Sequence, residues 1–182
     1  DTTTGQNVQN PIHYGVRLSG KLNEDPRIGL LNMQTAALKE SGLPIFNYTV
    51  GALQQQVFNR SNLSFVFVNK QAINGAEAGG DFNHFNRVAG LEYRLATPDN
   101  RWTGKAFYHH SFSPEQQAQP STHGLQLEYL RRDYRLEWAH SWIGYGYNAE
   151  VGFVPRRDYI LMSPEAELFF YPQGKVINQH SL

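Results

Sequence analysis

Apolar and polar residues alternate along much of the chain, most clearly from His84 to Gly144. From Phe85 onward, Ala89, Leu91, Tyr93 and Leu95 fall in one phase, and Val88, Gly90, Glu92 and Arg94 in the other. Successive side chains of a strand point to opposite faces, so a period of two predicts strands. Trp102, Gly104, Ala106, Tyr108, His110 and Phe112 repeat the pattern against Thr103, Lys105, His109 and Ser111, with Phe107 the exception. Leu125, Leu127 and Tyr129 oppose Gly124, Gln126 and Glu128. Tyr134, Leu136, Trp138 and Trp142 then oppose Arg135, Glu137 and Ser141.

The rest of the chain supplies further strands at 12–21, 27–35, 46–58, 63–70 and 159–171, and a tenth from about 176. In 27–35 the adjacent Leu30 and Leu31 leave the faces ambiguous. In 46–58, Tyr48, Val50 and Ala52 share a phase before Gln54, Gln55 and Gln56 blur it. Residues 36–40 have room for one helical turn. The connections run short, long, short, long: 22–26, 36–45, 59–61, 71–82, 97–100, 113–121, 132–133, 144–157 and 172–174. In an up-and-down meander, alternate connections lie at opposite ends. Tight turns at one end and long loops at the other are the asymmetry of outer-membrane barrels. The expected fold is therefore all-β, an antiparallel up-and-down meander forming about ten strands of an outer-membrane-type transmembrane β-barrel. A soluble antiparallel sheet with one wet face alternates in the same way, but Greek-key crossovers would not give so regular a series.

Charge sharpens the picture. Glu92, Arg94, Lys105, Glu128, Arg135 and Glu137 occupy the polar phase and would form a lumen ladder of cross-strand pairs of opposite sign. Tyr93, Trp102, Tyr108, Phe112, Tyr129, Tyr134 and Trp142 sit near strand ends, as aromatic girdles do. Lys plus Arg equals Asp plus Glu at 16 each, which argues against a nucleic-acid partner. Cysteine is absent, so disulfides and thiolate metal sites are excluded. No run of eighteen apolar residues predicts a transmembrane helix, which leaves a barrel open because its strands alternate. Residues 1–10 read as a polar leader and 11–182 as a barrel segment, part of a larger barrel. The start shows no signal peptide, implying a processed or internal piece, and 176–182 reads as a strand in progress.

Several strings resemble one family. Asn148-Ala149-Glu150-Val151-Gly152-Phe153-Val154-Pro155-Arg156-Arg157-Asp158-Tyr159 is the most specific. Asn86 to Leu91, Phe58 to Leu63 leading to Val68-Asn69-Lys70-Gln71, Tyr14 to Lys21, and Gly29 to Thr35 are similar to the same family. It is the uncharacterised outer-membrane barrel domain that follows a family-nine-type carbohydrate-binding module in Bacteroidota proteins. The matches span most of 12–160. The resemblance implies a bacterial outer-membrane location, lipid as a partner, and glycans reached through a module this chain does not contain. It implies no reaction and no catalytic residues.

Candidate chemistry is sparse. Two carboxylates among Glu92, Glu128 and Glu137 could flank a glycosidic bond, although basic ladder partners suit a wall better than a general acid. His109 and His110 are neighbours on opposite faces and cannot chelate one ion. The seven histidines show no metal spacing, and no cofactor is implied. Gly144 to Tyr147 lacks the strand–helix context of a phosphate loop. Glu150, Arg156, Arg157 and Asp158 form a charged loop motif suited to anchoring the loop on the wall or to gating. Tyr145, Tyr147 and Phe153 are candidates for stacking on sugar rings. The expected function is a pore or membrane anchor tied to glycan binding or uptake, more in keeping with a non-enzyme. A surface hydrolase acting on glycans, or a soluble β-rich carbohydrate-binding protein, are the alternatives.

Overall fold

A computed structural model describes residues 10–23, 25–38, 42–73, 82–115, 117–171 and 180–181. Ten strands form one sheet in sequence order. They are β1 (Ile12–Lys21), β2 (Arg27–Thr35), β3 (Ile45–Val57), β4 (Ser61–Ile73), β5 (Phe85–Ala96), β6 (Trp102–Phe112), β7 (Ser121–Leu130), β8 (Tyr134–Ile143), β9 (Tyr159–Phe170) and the two-residue β10 (His180–Ser181). Every neighbouring pair is antiparallel. The protein is thus an all-β up-and-down meander, with no helix among the described residues. No pairing joins β1 to β9 or β10 among the described residues, so the described sheet has two edges.

The strand reading from sequence needs small changes. β4 begins at Ser61, since Ser61 still pairs with Val57. Its hydroxyl also accepts the Ala96 N–H at 3.2 Å, stitching the strand end to β5. β7 begins at Ser121, four residues before the clear alternation. The helical turn expected at 36–40 is not what the described part shows: Leu38 bridges Leu43, closing a small hairpin-like loop. The expected turn 172–174 and the start of a tenth strand near 176 lie outside the described residues, as does most of 71–82.

Directly opposed residues share a face, so the register sorts the side chains. One face carries Glu92, Arg94, Lys105, Glu128, Arg135 and Glu137, together with Glu165 and Glu167 of β9. The opposite face carries Leu18, Leu30, Phe65, Leu91, Tyr108, Leu127, Leu136 and Ile160. The first is called the charged face and the second the apolar face. Tyr48, Val50 and Ala52 lie on the charged face, opposite Lys70, Val68 and Val66. The adjacent Leu30 and Leu31 simply take opposite faces. The charged face therefore has two halves. From β2 to β5 its middle is aliphatic, with Leu31, Val50, Val68 and Val88 in one row; from β5 to β9 it is ionic.

Burial is inverted relative to an ordinary sheet. Thr35, Phe46, Asn86, Val88, Gly90, Ser111, Thr122 and Gly124 are the buried strand residues of the charged face. Ser61, at a strand end, is the only buried strand residue of the other face among the described residues. On the apolar face Leu91 is 51% exposed, Leu136 47% and Phe65 46%.

Phe107, the exception in the alternation, stays on the charged face. Its facing partner is Gly124, where an added Cβ would lie 2.6 Å from Phe107 Cε1. The ring fills the room a side chain would take and stands beside Lys105 and His109. Gly124→Val should therefore cost about 1–3 kcal/mol by overpacking, read as a lowered midpoint in denaturant titration. Gly124→Val combined with Phe107→Ala should recover part of that loss.

Candidate functional site

All the long connections leave from one end of the sheet, because each strand runs its full length before the chain turns. The connection 144–157 is laid across the charged face at that end, from β8 back to β4. Gly144 donates its N–H to Ser121 O at 3.0 Å, and Gly146 donates to Ala118 O at 3.0 Å. A Cβ at either glycine would collide with a backbone carbonyl of 118–119, so only glycine lets the two loops touch. Tyr147 follows, 6% exposed, and burial raises its phenol pKa.

Side chains of three strands then hold the segment. Ser111 Oγ of β6 accepts the Asn148 N–H at 3.0 Å. Asn86 of β5 donates from Nδ2 to Asn148 O at 2.9 Å and accepts the Glu150 N–H at 3.1 Å. Lys70 of β4 donates to Glu150 Oε2 at 2.8 Å, in an ion pair whose side chains are 16% and 19% exposed. Asn83 and Asn148 both donate to Glu150 Oε1. Lys70 also stands 4.2 Å from the centroid of the Phe46 ring. The result is a strap tied across the loop end of the charged face, with Glu150 as its clasp.

The charged motif Glu150, Arg156, Arg157 and Asp158 thus divides. Glu150 is the anchor, whereas Arg157 reaches Asn148 within the loop at 2.8 Å and Arg156 lies 5.4 Å from the Tyr159 ring centroid. Asp158 takes the left-handed region with φ 57° as the chain enters β9. Arg156, Arg157 and Asp158 therefore do not tie the loop to the wall among the described residues. Of the stacking candidates, Tyr147 is buried and unfit for the role, while Tyr145 and Phe153 are exposed.

The ladder lies toward the other end, and its pairing corrects the expectation. Like charges stand directly opposite: Arg94 faces Lys105, and Glu128 faces Glu137. Opposite charges meet mostly off the direct row: Lys105 with Glu92, and Arg135 with Glu128 and Glu165, on diagonals, and Arg135 with Glu137 two residues along its own strand, whereas Arg135 and Glu167 stand directly opposite. Lys105 Nζ is 3.1 Å from Glu92 Oε2, and His109 Nε2 is 3.3 Å from Glu92 Oε1. Arg135 lies within 3.3–3.9 Å of four carboxylates, those of Glu128, Glu137, Glu165 and Glu167. Long side chains reach diagonal neighbours at about 7–8 Å between strand positions, so a ladder need not alternate sign along a row. His109 and His110 lie on opposite faces, and no group of three metal-ligating side chains occurs among the described residues.

The sequence reading missed Lys70, Asn83, Asn86 and Ser111 as partners of the strap, and Glu165 and Glu167 as partners of Arg135. Asn86 carried a signal: a carboxamide at the first polar-phase position of β5, where a strand facing plain solvent has no use for a fixed donor and acceptor. The short turns are self-contained. Asp99 accepts from the Thr97 hydroxyl at 2.7 Å and the Arg101 N–H at 3.1 Å, and these two bonds lower its pKa.

The fold and face chemistry define a class, an antiparallel meander with one ionic and one uncovered apolar face. No protein-family model, no curated protein and no solved structure matches the chain.

Proposed function

We propose that the sheet is wall of an outer-membrane β-barrel, with the charged face toward a water-filled lumen and the apolar face toward lipid. The protein then serves as a pore or membrane anchor in glycan binding or uptake, and the strap 144–157 lies in the external mouth. The inverted burial is the observation that carries this reading. A sheet in water would cover Leu91, Leu136 and Phe65 and leave the ion pairs wet; extended apolar patches are rare on soluble proteins. In lipid the same faces are matched to their surroundings.

The apolar face also has boundaries. Toward the loop end, Arg87 of β5, His110 of β6, His123 of β7 and His140 of β8 mark where it turns polar. On the register each of these histidines sits two residues nearer the turns than the one before. A boundary of constant height must cross tilted strands diagonally. Toward the turn end the Trp102 and Tyr129 rings meet tilted, with centroids 4.5 Å apart, and those of Tyr129 and Tyr134 likewise at 5.9 Å. From His110 to Trp102 is about 27 Å along the strand. At a tilt of ~40° that is about 20 Å of height, near the ~25 Å apolar band of such barrels. The glycan connection rests on the resemblance of 148–159 and the other strings.

The hydrolase alternative gains nothing from the geometry, since Glu128 and Glu137 are both held by Arg135. Spin labels at Leu91, Tyr93, Ala106, Leu127 and Leu136 test the reading in liposomes. They should respond to lipid-soluble oxygen and little to a water-soluble quencher; the reverse pattern would reject the membrane assignment. Protease added to intact cells should cut within 113–119 and spare the turn 58–60; cleavage at Asn59-Arg60 instead would invert the orientation.

A further inference from the structure

We infer that Arg94 and Lys105 form a binding site for a monoanionic, carboxylate-bearing hydrophilic solute on the charged face, near its turn end. This deepens the pore reading, on which its access to water rests, by naming the chemistry of the solute. The starting point is an imbalance. Arg94 on β5 stands directly opposite Lys105 on β6. Like charges on facing positions destabilise a sheet, so the arrangement calls for an anion between them. Lys105 has one, Glu92 at 3.1 Å. Arg94 makes no ion pair, hydrogen bond or ring contact with any described residue, and it is exposed. Every other cation of the ionic half is engaged: Lys105 by Glu92 and Arg135 by four carboxylates.

Arg94 also borders a cleft. A cavity of about 350 Å³ is lined by Arg94, Thr103, Gly104, Lys105, Gln126 and Glu128. That volume lies at the lower end of small-molecule sites and admits a single sugar-sized solute. The rim is already ordered. Thr103 donates to Glu128 Oε1 at 3.3 Å, and Gln126 donates to Glu137 Oε1 at 2.8 Å. Gln126 Oε1 and Glu128 are thereby left as acceptors for ligand hydroxyls, while the planar Arg94 fork suits a carboxylate bidentately.

Charge selects a carboxylate over a phosphate. Glu92 offsets Lys105 and Glu128 lies in the same wall, so the cleft offers little more than the one uncompensated charge of Arg94. A dianion would face two carboxylates for the same two cations. A neutral sugar would leave the guanidinium as it is. A sugar acid matches both the charge and the hydroxyl acceptors.

Isothermal titration calorimetry on the detergent-solubilised full chain tests this, with sodium glucuronate, glucose and glucose 6-phosphate as probes. Glucuronate should bind at least tenfold more tightly than glucose and more tightly than glucose 6-phosphate. Arg94→Gln should weaken glucuronate at least tenfold, and Arg94→Lys, which keeps the charge and loses the fork, should fall between. Arg17→Gln, on the same face at β1, should change nothing. Equal binding of glucose and glucuronate, an unaffected Arg94→Gln, or an equal loss in Arg17→Gln would each overturn the site. Tighter glucose 6-phosphate would overturn the choice of carboxylate. Planar-bilayer conductance separates the two proposals: binding without conduction retains the site and removes the pore, and conduction without binding removes the site alone.

Discussion

Replacing Leu127 with arginine is expected to destabilise the protein in a bilayer by about 2–4 kcal/mol, the cost of a cation at the lipid midplane of a barrel. Leu127 sits mid-strand on the apolar face of β7, between Gly104 and Trp138 on the neighbouring strands. Reversible urea unfolding in liposomes reads the effect. Gln126→Arg supplies the contrast, one residue away and on the charged face, within reach of Glu137. It should cost under about 1 kcal/mol, because a wet wall with carboxylates accepts a guanidinium. Equal costs for the two variants would mean that both faces meet the same medium, and the lipid assignment would fail.

The second large effect concerns the strap. Glu150→Ala removes the acceptor of Lys70, Asn83 and Asn148 together. Hydrogen bonds to charged groups contribute about 1.5–3 kcal/mol each, and a half-buried Lys70 would be left unpaired. A loss of about 2 kcal/mol in the stability of the strap is expected, which is roughly thirtyfold in its open population. The readout is local: faster amide exchange and protease cleavage within 149–153, with the strands unchanged. On the proposed pore reading, the same variant should show higher conductance in a planar bilayer, since the released strap would no longer cross the mouth. Lys70→Met should reproduce the release, and the double variant should add little to either, as paired groups do. Full additivity would show that Glu150 and Lys70 act separately.

Much of the fold was legible in the chain. β1 and β2 match the predicted spans, and β5, β6, β8 and β9 match within a residue or two, because a period of two is a local signal wherever one face differs from the other. The faces of β2 and β3 were not legible. Leu31, Val50 and Val68 put aliphatic residues on the same side as the charges, and once both faces are apolar the period no longer says which is which. Phe107 was visible as an exception, but its accommodation by Gly124 depends on a residue on the next strand.

The site divides the same way. That Glu92, Arg94, Lys105, Glu128, Arg135 and Glu137 share a face followed from alternation alone. Which charges meet did not, because register and side-chain reach decide that, and they set Arg94 against Lys105 and gathered four carboxylates on Arg135. The charged loop motif is legible in the sequence, but which of Glu150, Arg156, Arg157 and Asp158 anchors it is not. Glu150 holds it, through partners as far away in sequence as Lys70.

The chain by itself determined the meander, its alternation of short and long connections and the sorting of charge from hydrocarbon, since each depends on neighbours within a few residues. The strap, the facing of Arg94 and Lys105 and the sharing of Arg135 arise only when β4, β5, β6, β8 and β9 stand side by side. The strap's ties to the strands span 37 to 80 residues and leave no periodic trace in a sequence, because nothing in the local spacing of one strand records the register of another.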